Sequence, residues 1–310
     1  MRKKSLMLLG VVVVLLMGLW GCSQKETTTQ EQDGLTIVTS FYPMYAITKE
    51  ISGEYNQVMM IRSGAGIHSF EPSAADVAAI HDADIFIYHS RTLEPWAKRV
   101  NDSSKKDSKV KMIEASEGIT LDRVEGLEDI KVEEGIDEKT LFDPHSWLDP
   151  ELVALEAENI AEQLIALDSE HADTYRKNAQ EFAEKARGLV TKYQPIFEQV
   201  PQKTFVTQHT AFSYLAKRFG LRQLGISGIS PDLEPSPKRL KEIQDFVEEY
   251  HVKTIFVEPN VSTDIAQVIA EETGVQIALL DPLESDPQNN LPFLTNLENN
   301  LQTLQNVLGE

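Results

Sequence analysis

Strands and helices alternate along this chain in two runs that are separated by a long helical stretch. In the first run, the apolar segments LTIVTSF (35–41) and DIFIYHS (84–90) are separated by segments whose apolar residues recur at helical spacing. After residue 200, the alternation begins again with KTFVTQH (203–209). Such alternation favours parallel strand pairing, with helices on both faces of the sheet. The sequence therefore predicts an α/β fold with two lobes, each with a mainly parallel sheet.

The stretch between the two runs predicts one long helix. At ~1.5 Å per residue, about 28 helical residues span roughly 40 Å, which is long enough to join two lobes. We therefore expect an N-terminal lobe (35–167), a single bridging helix (168–200) and a C-terminal lobe (201–310). Open α/β sheets bind ligands beyond the carboxyl ends of their strands, so the interlobe cleft is the expected site.

The chain begins with a basic and then apolar segment, MRKKSLMLLGVVVVLLMGLWGC, that ends at its only cysteine. The apolar run is shorter than the roughly 20 residues that a membrane-spanning helix needs, and its basic start is typical of a secretory signal peptide. The last four residues, LWGC, resemble a bacterial lipobox. We therefore predict a cleaved signal peptide (1–21), a lipid anchor on Cys22 and a flexible tether (22–34).

Cysteine use and net charge exclude two kinds of function. With Cys22 lipidated, no thiol remains for a disulfide or a cysteine-based zinc site, so a metal site would need His, Asp and Glu. The formal net charge of -20 becomes -23 when Arg2, Lys3 and Lys4 leave with the signal peptide. Such an acidic surface repels phosphate backbones, so nucleic acid is not an expected partner.

Candidate metal ligands lie at strand ends or in stiff loops. His68 follows a predicted strand within GAGIHSFEPS, and His209 closes the strand KTFVTQH. His145 lies in FDPHSWLDP (142–150), where two prolines restrict the backbone. Two carboxylates, Asp281 and Glu284, follow the last strand in LLDPLESD. Only a fold that brings distant loops together could combine residues so far apart in the chain.

Three imidazoles and one carboxylate suit a tetrahedral zinc ion, whereas manganese favours more oxygen ligands. Because the imidazoles must be neutral, affinity is expected to fall below about pH 6.5. Each imidazole also needs a partner that orients it, and Asp143, Glu71 and Glu258 are candidates. Other histidines are interpreted as surface or capping residues, namely His81, His171 and His251. For His89, which also ends a predicted strand, a contact with the cleft is left as an alternative.

The phrases FYPMYAI, HSFEPS, DPHSWLDP, TQHTAFSYLAKRFGL and LLDPLESD occur in this order along nearly the whole mature chain. In this the chain resembles the metal-binding lipoproteins of zinc and manganese ABC importers, the cluster A-I solute-binding family. The likeness is greatest to streptococcal zinc-binding lipoproteins, which include laminin-binding members. The resemblance implies two lobes joined by one long helix, with Zn²⁺ held in the cleft by His68, His145, His209 and Glu284. Asp281 aligns with the fourth ligand of other branches and is the alternative.

The resemblance also implies a function. A lipid-anchored monomer on the extracytoplasmic face of a bacterial membrane would capture Zn²⁺ and deliver it to an ABC permease, without enzymatic activity. Histidine at the third ligand position favours zinc, and manganese is the alternative metal. Two other functions stay open: a surface adhesin for host matrix such as laminin, and a zinc hydrolase with Glu284 as general base. The lack of an HExxH pattern argues against the hydrolase.

Overall fold

A computed structural model describes residues 34–61, 66–103, 109–124, 141–231 and 234–310. This part of the chain forms two α/β lobes, each built on a four-stranded parallel sheet, which confirms the predicted fold class. The predicted signal peptide, the lipid anchor and most of the tether (1–33) lie outside the described residues. None of the described helices is long and apolar enough to cross a membrane.

The N-terminal lobe has the strand order β2-β1-β3-β4. Its strands are β1 (Thr36–Thr39), β2 (Gln57–Met60), β3 (Ile85–Tyr88) and β4 (Lys111–Glu114). Its helices are α1 (Tyr42–Ser52), α2 (Ala74–Asp82), α3 (Trp96–Ser103) and α4 (Pro150–Leu167). Helix α2 begins where Ser73 and Asp76 form a reciprocal capping box. Helix α4 begins with a proline, whose missing N–H costs nothing in the first turn, and Asp149 caps it.

A single helix, α5 (Ala172–Gln199), follows the first lobe. Its 28 residues correspond to about 42 Å at ~1.5 Å per residue. It packs along α4 and also contacts α1. It begins later than the predicted start at residue 168 because Asp168 instead ends α4, where its N–H bonds to the carbonyl of Leu164. The predicted lobe boundaries, after residues 167 and 200, stay a prediction.

The C-terminal lobe repeats the same topology, with the strand order β6-β5-β7-β8. Its strands are β5 (Thr204–Thr207), β6 (Arg222–Gly225), β7 (Thr254–Val257) and β8 (Gln276–Leu279). Its helices are α6 (Ser213–Arg218), α7 (Pro237–Glu249), α8 (Asp264–Thr273) and α9 (Phe293–Leu308). Helix α9 contacts both α5 and α1, so the bridging helix touches elements of both lobes.

Successive residues of the central strands point to opposite faces, and both faces are buried. In the first lobe, Ile85 belongs to a central apolar core, whereas Phe86 packs in an outer one. In the second lobe, Phe256 belongs to the same central core, whereas Ile255 lies in a third. Because helices cover both faces of each sheet, polar groups that bind ligands are left to the ends of the strands.

Candidate metal centre

Four side chains meet between the two lobes. His68 and His145 come from the first lobe, and His209 and Glu284 come from the second. Their donor atoms all lie within 4.8 Å of one another. His68 is partly buried and the other three are buried. The four residues that the sequence singled out are therefore brought together, two from each lobe.

The spacing of these atoms is that of a small coordination shell. The Oε1 atom of Glu284 lies 3.2 Å from Nε2 of His68, 3.4 Å from Nε2 of His145 and 3.1 Å from Nε2 of His209. The Nε2 atom of His145 lies 3.3 Å from Nε2 of each of the other two histidines. A regular tetrahedron with metal–donor bonds of about 2.0–2.1 Å has edges of about 3.3–3.4 Å. These four atoms can therefore hold a four-coordinate ion.

The loop FDPHSWLDP holds His145 through one carboxylate. The fully buried His145 comes just before a short 3₁₀ turn, Ser146–Leu148. Its Nδ1 donates to Oδ1 of Asp143 over 2.6 Å, and its backbone N–H donates to the same oxygen over 3.0 Å. The carbonyl of Asp143 accepts a hydrogen bond of 2.7 Å from the hydroxyl of Tyr214 in the second lobe. With the proton on Nδ1, the lone pair of Nε2 faces the other donors.

His209 lies beyond the carboxyl end of β5, which is also a point where the strand order reverses. Its Nδ1 donates to Oε1 of Glu258 over 2.5 Å, and its backbone N–H donates to the same oxygen over 3.1 Å. Glu258 follows β7, the neighbour of β5 in the sheet. Crossovers leave these two strands in opposite directions, so their ends form a crevice. One carboxylate thus fixes both the backbone and the ring of His209.

The other two donors are carried by turns with left-handed backbone conformation. Gly66, at φ 92°, precedes the 3₁₀ turn that contains His68, and glycine adopts this conformation readily. Leu283, at φ 56°, precedes Glu284, and this conformation is unfavourable for a leucine. The surrounding structure must therefore hold the Leu283 turn in place.

Burial and nearby charges shift the pKa values of all four donors. Burial lowers the pKa of His209, but the carboxylates of Glu258 and Glu284 outweigh burial and raise this pKa to about 10. Burial would raise the pKa of Glu284, yet the charges on His68 and His209 hold it well below its usual range. Burial also opposes a charge on His145, but Asp143 raises that pKa, whereas burial lowers the pKa of His68. Without a cation, an imidazolium at His209 is therefore paired with two carboxylates.

The fourth donor of this cluster is Glu284 and not the alternative, Asp281. The carboxylate of Asp281 accepts the backbone N–H of Leu283 over 2.8 Å. Burial raises the pKa of Asp281 to about 6, and the charges on Glu284 and Glu258 act in the same direction. Asp281 therefore shapes the turn that presents Glu284.

Two of the three predicted orienting partners contact an imidazole. Asp143 and Glu258 each accept from an Nδ1 atom, as described above. Glu71 does not, and the prediction for it was wrong. Its carboxylate is exposed and pairs with Arg99, 2.6 Å away. A residue three positions from His68 was a plausible partner in sequence, but the loop points it outward.

None of the remaining histidines belongs to the four-donor cluster. In α2, Nε2 of His81 lies 3.1 Å from the carbonyl of Val100. His171 is the residue before α5, and His251 is an exposed turn residue at φ 52°. His89 is fully buried beneath the His145 loop, with its Nε2 2.9 Å from the hydroxyl of Ser146. His89 therefore supports the loop instead of facing the donors.

A cavity of about 680 Å³ opens beside the cluster on the side of Glu284. Glu284, Glu258 and Asp281 all line it, as does the exposed Leu279 at the end of β8. The first three of these lining side chains are carboxylates, whereas none of the three cluster histidines lines it. The cavity therefore exposes the Glu284 side of the cluster to a carboxylate-lined space.

Sequence reasoning missed two residues that connect the lobes at the centre. One is Tyr214, whose hydroxyl binds the backbone of Asp143. The other is Trp147, whose indole N–H donates to the carbonyl of Pro282 over 2.9 Å. Both lie near a predicted ligand in the chain, but nothing in the sequence indicates which lobe an indole or a phenol contacts.

Comparison with known proteins gives the chain a family context. The sequence model of the family described as zinc-uptake complex component A, periplasmic (ZnuA), matches residues 37–307. The chain is 38% identical over 319 residues to the zinc-binding lipoprotein AdcA of Streptococcus pneumoniae. That alignment includes 100% of this chain and 62% of AdcA, so the chain spans less than two thirds of this relative.

Two solved structures are similar over most of the chain. The laminin-binding protein Lmb of Streptococcus agalactiae, described as bifunctional with adhesin and metal transporting activity, is 57% identical with a TM-score of 0.82. The match covers 89% of this chain and 99% of Lmb. A Zn(II)-bound variant of AdcAII from Streptococcus pneumoniae is 59% identical with a TM-score of 0.82, and the match covers 89% of this chain and 98% of AdcAII.

Proposed function

The chain belongs to the family of periplasmic zinc-uptake complex component A proteins, and from this premise we propose that it captures Zn²⁺ outside the cytoplasm and delivers it to an ABC permease. The ion is held by His68, His145, His209 and Glu284. The observation that carries this proposal is the distance between the donor atoms, 3.1–3.4 Å for the pairs described above. These distances are close to the edges of about 3.3–3.4 Å expected for tetrahedral zinc.

The donor set favours zinc over manganese. Three imidazole nitrogens and one carboxylate oxygen form a shell that suits a borderline ion in tetrahedral geometry. Manganese prefers a shell with more oxygen donors and a higher coordination number. The carboxylates of Asp143 and Glu258 each accept from an Nδ1 atom, and neither belongs to the four-donor cluster.

The position of Glu284 favours capture over catalysis. A zinc hydrolase keeps one coordination position for water and needs a separate general base. Here Glu284 lies at 3.1 and 3.2 Å from the nitrogens of His209 and His68, in the place of a ligand. Four protein ligands close the shell, which suits an ion that is carried as cargo.

The attachment and the partners of the protein follow from the same proposal. A lipid on Cys22 holds the folded part at the outer face of the cytoplasmic membrane, where it docks on the permease as a monomer. The name of AdcA as a lipoprotein supports the anchor. The description of Lmb as an adhesin supports laminin binding as a second activity.

Replacement of His145 by Ala tests the proposal. A four-ligand protein zinc site contributes roughly 10–16 kcal/mol, so the loss of one ligand should weaken zinc binding by about 3 kcal/mol, or roughly a hundredfold. The measurement is a competition titration of the metal-free protein with a zinc chelator. The control is His81→Ala, which removes an imidazole outside the cluster. Equal affinity of His145→Ala and the wild type would contradict the proposed ligand set.

The same variant separates transport from adhesion. If laminin binding is independent of the metal centre, His145→Ala binds immobilised laminin as well as the wild type while its zinc affinity falls. A wild-type protein that does not bind laminin would leave zinc capture as the sole activity.

The carboxylate of Glu258 should affect zinc affinity through His209. Replacement by Gln keeps the size of the side chain but removes the charge that orients the ring and makes it a better ligand. We expect zinc to bind about tenfold more weakly, at the lower end of the roughly 10–100-fold effect of such partners. The matched control is Glu71→Gln, which neutralises the carboxylate that pairs with Arg99. A loss of affinity in both variants would point to general surface electrostatics instead.

A further inference from the structure

A hydrogen bond joins the two ligand loops across the lobes. The indole N–H of Trp147 donates to the carbonyl of Pro282 over 2.9 Å, and this bond is buried. Trp147 lies two residues after His145, and Pro282 lies two residues before Glu284. This hydrogen bond therefore links the loop of His145 in the first lobe to the loop of Glu284 in the second.

The indole is held firmly on the side of the first lobe. Trp147 is fully buried. Its ring centroid lies 5.1 Å from those of Phe41 and His145 and 5.0 Å from that of His89, all at steep interplanar angles. Aromatic neighbours on several sides leave the ring a single orientation. The direction of its N–H is thus set in part by aromatic neighbours of the first lobe.

The loop that receives this hydrogen bond is strained. Leu283, whose side chain is 1% exposed, adopts a left-handed conformation that a leucine rarely takes. Asn300 of α9 clamps the residue before the turn, since its Oδ1 accepts the N–H of Asp281 over 3.1 Å and its Nδ2 donates to the Asp281 carbonyl over 2.6 Å. Such a conformation persists only where neighbouring groups determine it.

On its other side, the loop faces open space. Pro282 and Glu284 line the cavity of about 680 Å³, so the described residues form no packed layer against them on that side. The clamp by Asn300 fixes the start of the loop relative to the second lobe. The bond from Trp147 is what fixes the loop relative to His145.

We propose that Trp147 is a positioning residue that holds Glu284 at coordination distance from the histidines and thereby slows the dissociation of zinc. This inference rests on the proposed function. The indole does not touch the ion. It acts through the Pro282 carbonyl, and loss of its N–H lets the Glu284 loop move toward the cavity.

Replacement of Trp147 by Phe tests this inference. We expect zinc to dissociate about tenfold faster, an effect of the size that partners of metal ligands usually have. The rate is measured by stopped-flow mixing of the zinc-loaded protein with excess chelator. Trp96→Phe is the matched control, because the buried indole N–H of Trp96 has no hydrogen-bond partner in the described part of the chain. An unchanged rate in Trp147→Phe, or an equal acceleration in Trp96→Phe, would overturn the inference.

The same substitution, made in the Glu284→Gln variant, shows whether Trp147 affects the dissociation of zinc through Glu284. In Glu284→Gln, the carboxylate that Trp147 positions is already lost, so the further change Trp147→Phe should alter the rate less than about twofold. A tenfold acceleration that persists in this background would mean that the indole acts on His145 or on the fold. If Glu284→Gln itself binds and releases zinc like the wild type, the proposed ligand set fails, and the two failures are thus distinguishable.

A chemical variant covers the case in which Trp147→Phe folds poorly. Benzothienylalanine at position 147 keeps the bicyclic shape of tryptophan but has sulfur in place of the N–H. We expect the same acceleration of about tenfold from this protein, with an unchanged unfolding temperature before zinc is added. If this protein releases zinc at the wild-type rate, the inference is overturned. Altered packing cannot explain that result, because the bicyclic shape is kept.

Discussion

Replacement of Glu284 by Gln should weaken zinc binding about a hundredfold, whereas replacement of Asp281 by Asn should change it less than about threefold. The two substitutions are matched, since each turns a carboxylate of the same loop, buried at Glu284 and partly buried at Asp281, into an amide of the same size. Glu284 contacts three imidazole nitrogens. Asp281 contacts the N–H of Leu283, and an asparagine oxygen can still accept that hydrogen bond.

The loss at Glu284 has an opposing component. Glu284 is one of the two carboxylates that raise the pKa of His209. In Glu284→Gln this pKa is raised less, so zinc has less proton competition at His209. The loss of the anionic ligand is the larger effect, because a neutral amide oxygen is a poor donor to zinc compared with a carboxylate.

Competition titrations of both variants at one pH measure these effects. Zinc content per chain after reloading gives the stoichiometry independently. A hundredfold loss in Asp281→Asn with little change in Glu284→Gln would exchange the roles of the two acids. Equal losses in both would indicate that the whole turn, and not one carboxylate, determines affinity.

The zinc affinity should rise with pH well above the range expected for unperturbed histidine. The pKa of His209 is raised to about 10, so at neutral pH its Nε2 carries a proton that zinc must displace. Each displaced proton changes the apparent affinity about tenfold per pH unit. Between pH 8 and pH 6 the affinity should therefore fall about a hundredfold for this one group. The sequence alone places the start of that fall near pH 6.5, the ordinary value for histidine.

The raised pKa of His209 has the opposite pH dependence for the stability of the zinc-free fold, which should fall as the pH rises. A histidine whose pKa is higher in the folded protein than in the unfolded one stabilises the fold most at low pH. For His209 this contribution is fully present below about pH 6.5 and is lost as the pH rises through about 10. Alkaline conditions should thus strengthen zinc binding and weaken the fold that lacks zinc.

Calorimetry checks the proton count directly. Titration with zinc at pH 8, in buffers that differ in ionisation enthalpy, should show the release of about one proton per ion. In Glu258→Gln, less proton release is expected, because that carboxylate contributes to the raised pKa of His209. An affinity that is constant from pH 7 to pH 9, with no proton released, would contradict this account.

The fold class was predictable because its signals are local and repeated. Parallel strands such as β3 and β7 are continuous apolar runs, and the bridging helix α5 shows apolar residues at helical spacing. His68, His209 and Glu284 follow strands and His145 lies in a stiff loop, so the cleft was their expected location, because open α/β sheets bind ligands there. The resemblance to a family supplied the choice of these four among the acids and histidines of the chain.

The errors came from side-chain contacts whose partners are distant in sequence. Glu71 lies close to His68 in the chain, yet it pairs with Arg99 on the surface. Trp147 was read only as part of a stiff motif, although its indole reaches the other lobe. In each case the outcome depends on which groups lie within hydrogen-bond distance after packing.

By itself, the sequence determined that this protein has two α/β lobes and that its candidate metal ligands follow strands or lie in a stiff loop. It did so because periodicity and chain order dictate strand direction and crossover. Only the tertiary structure decided that Glu284 and not Asp281 completes the cluster and that Glu258 raises the pKa of His209. These outcomes depend on distances between side chains carried by different loops, and such distances are set by packing of the whole core.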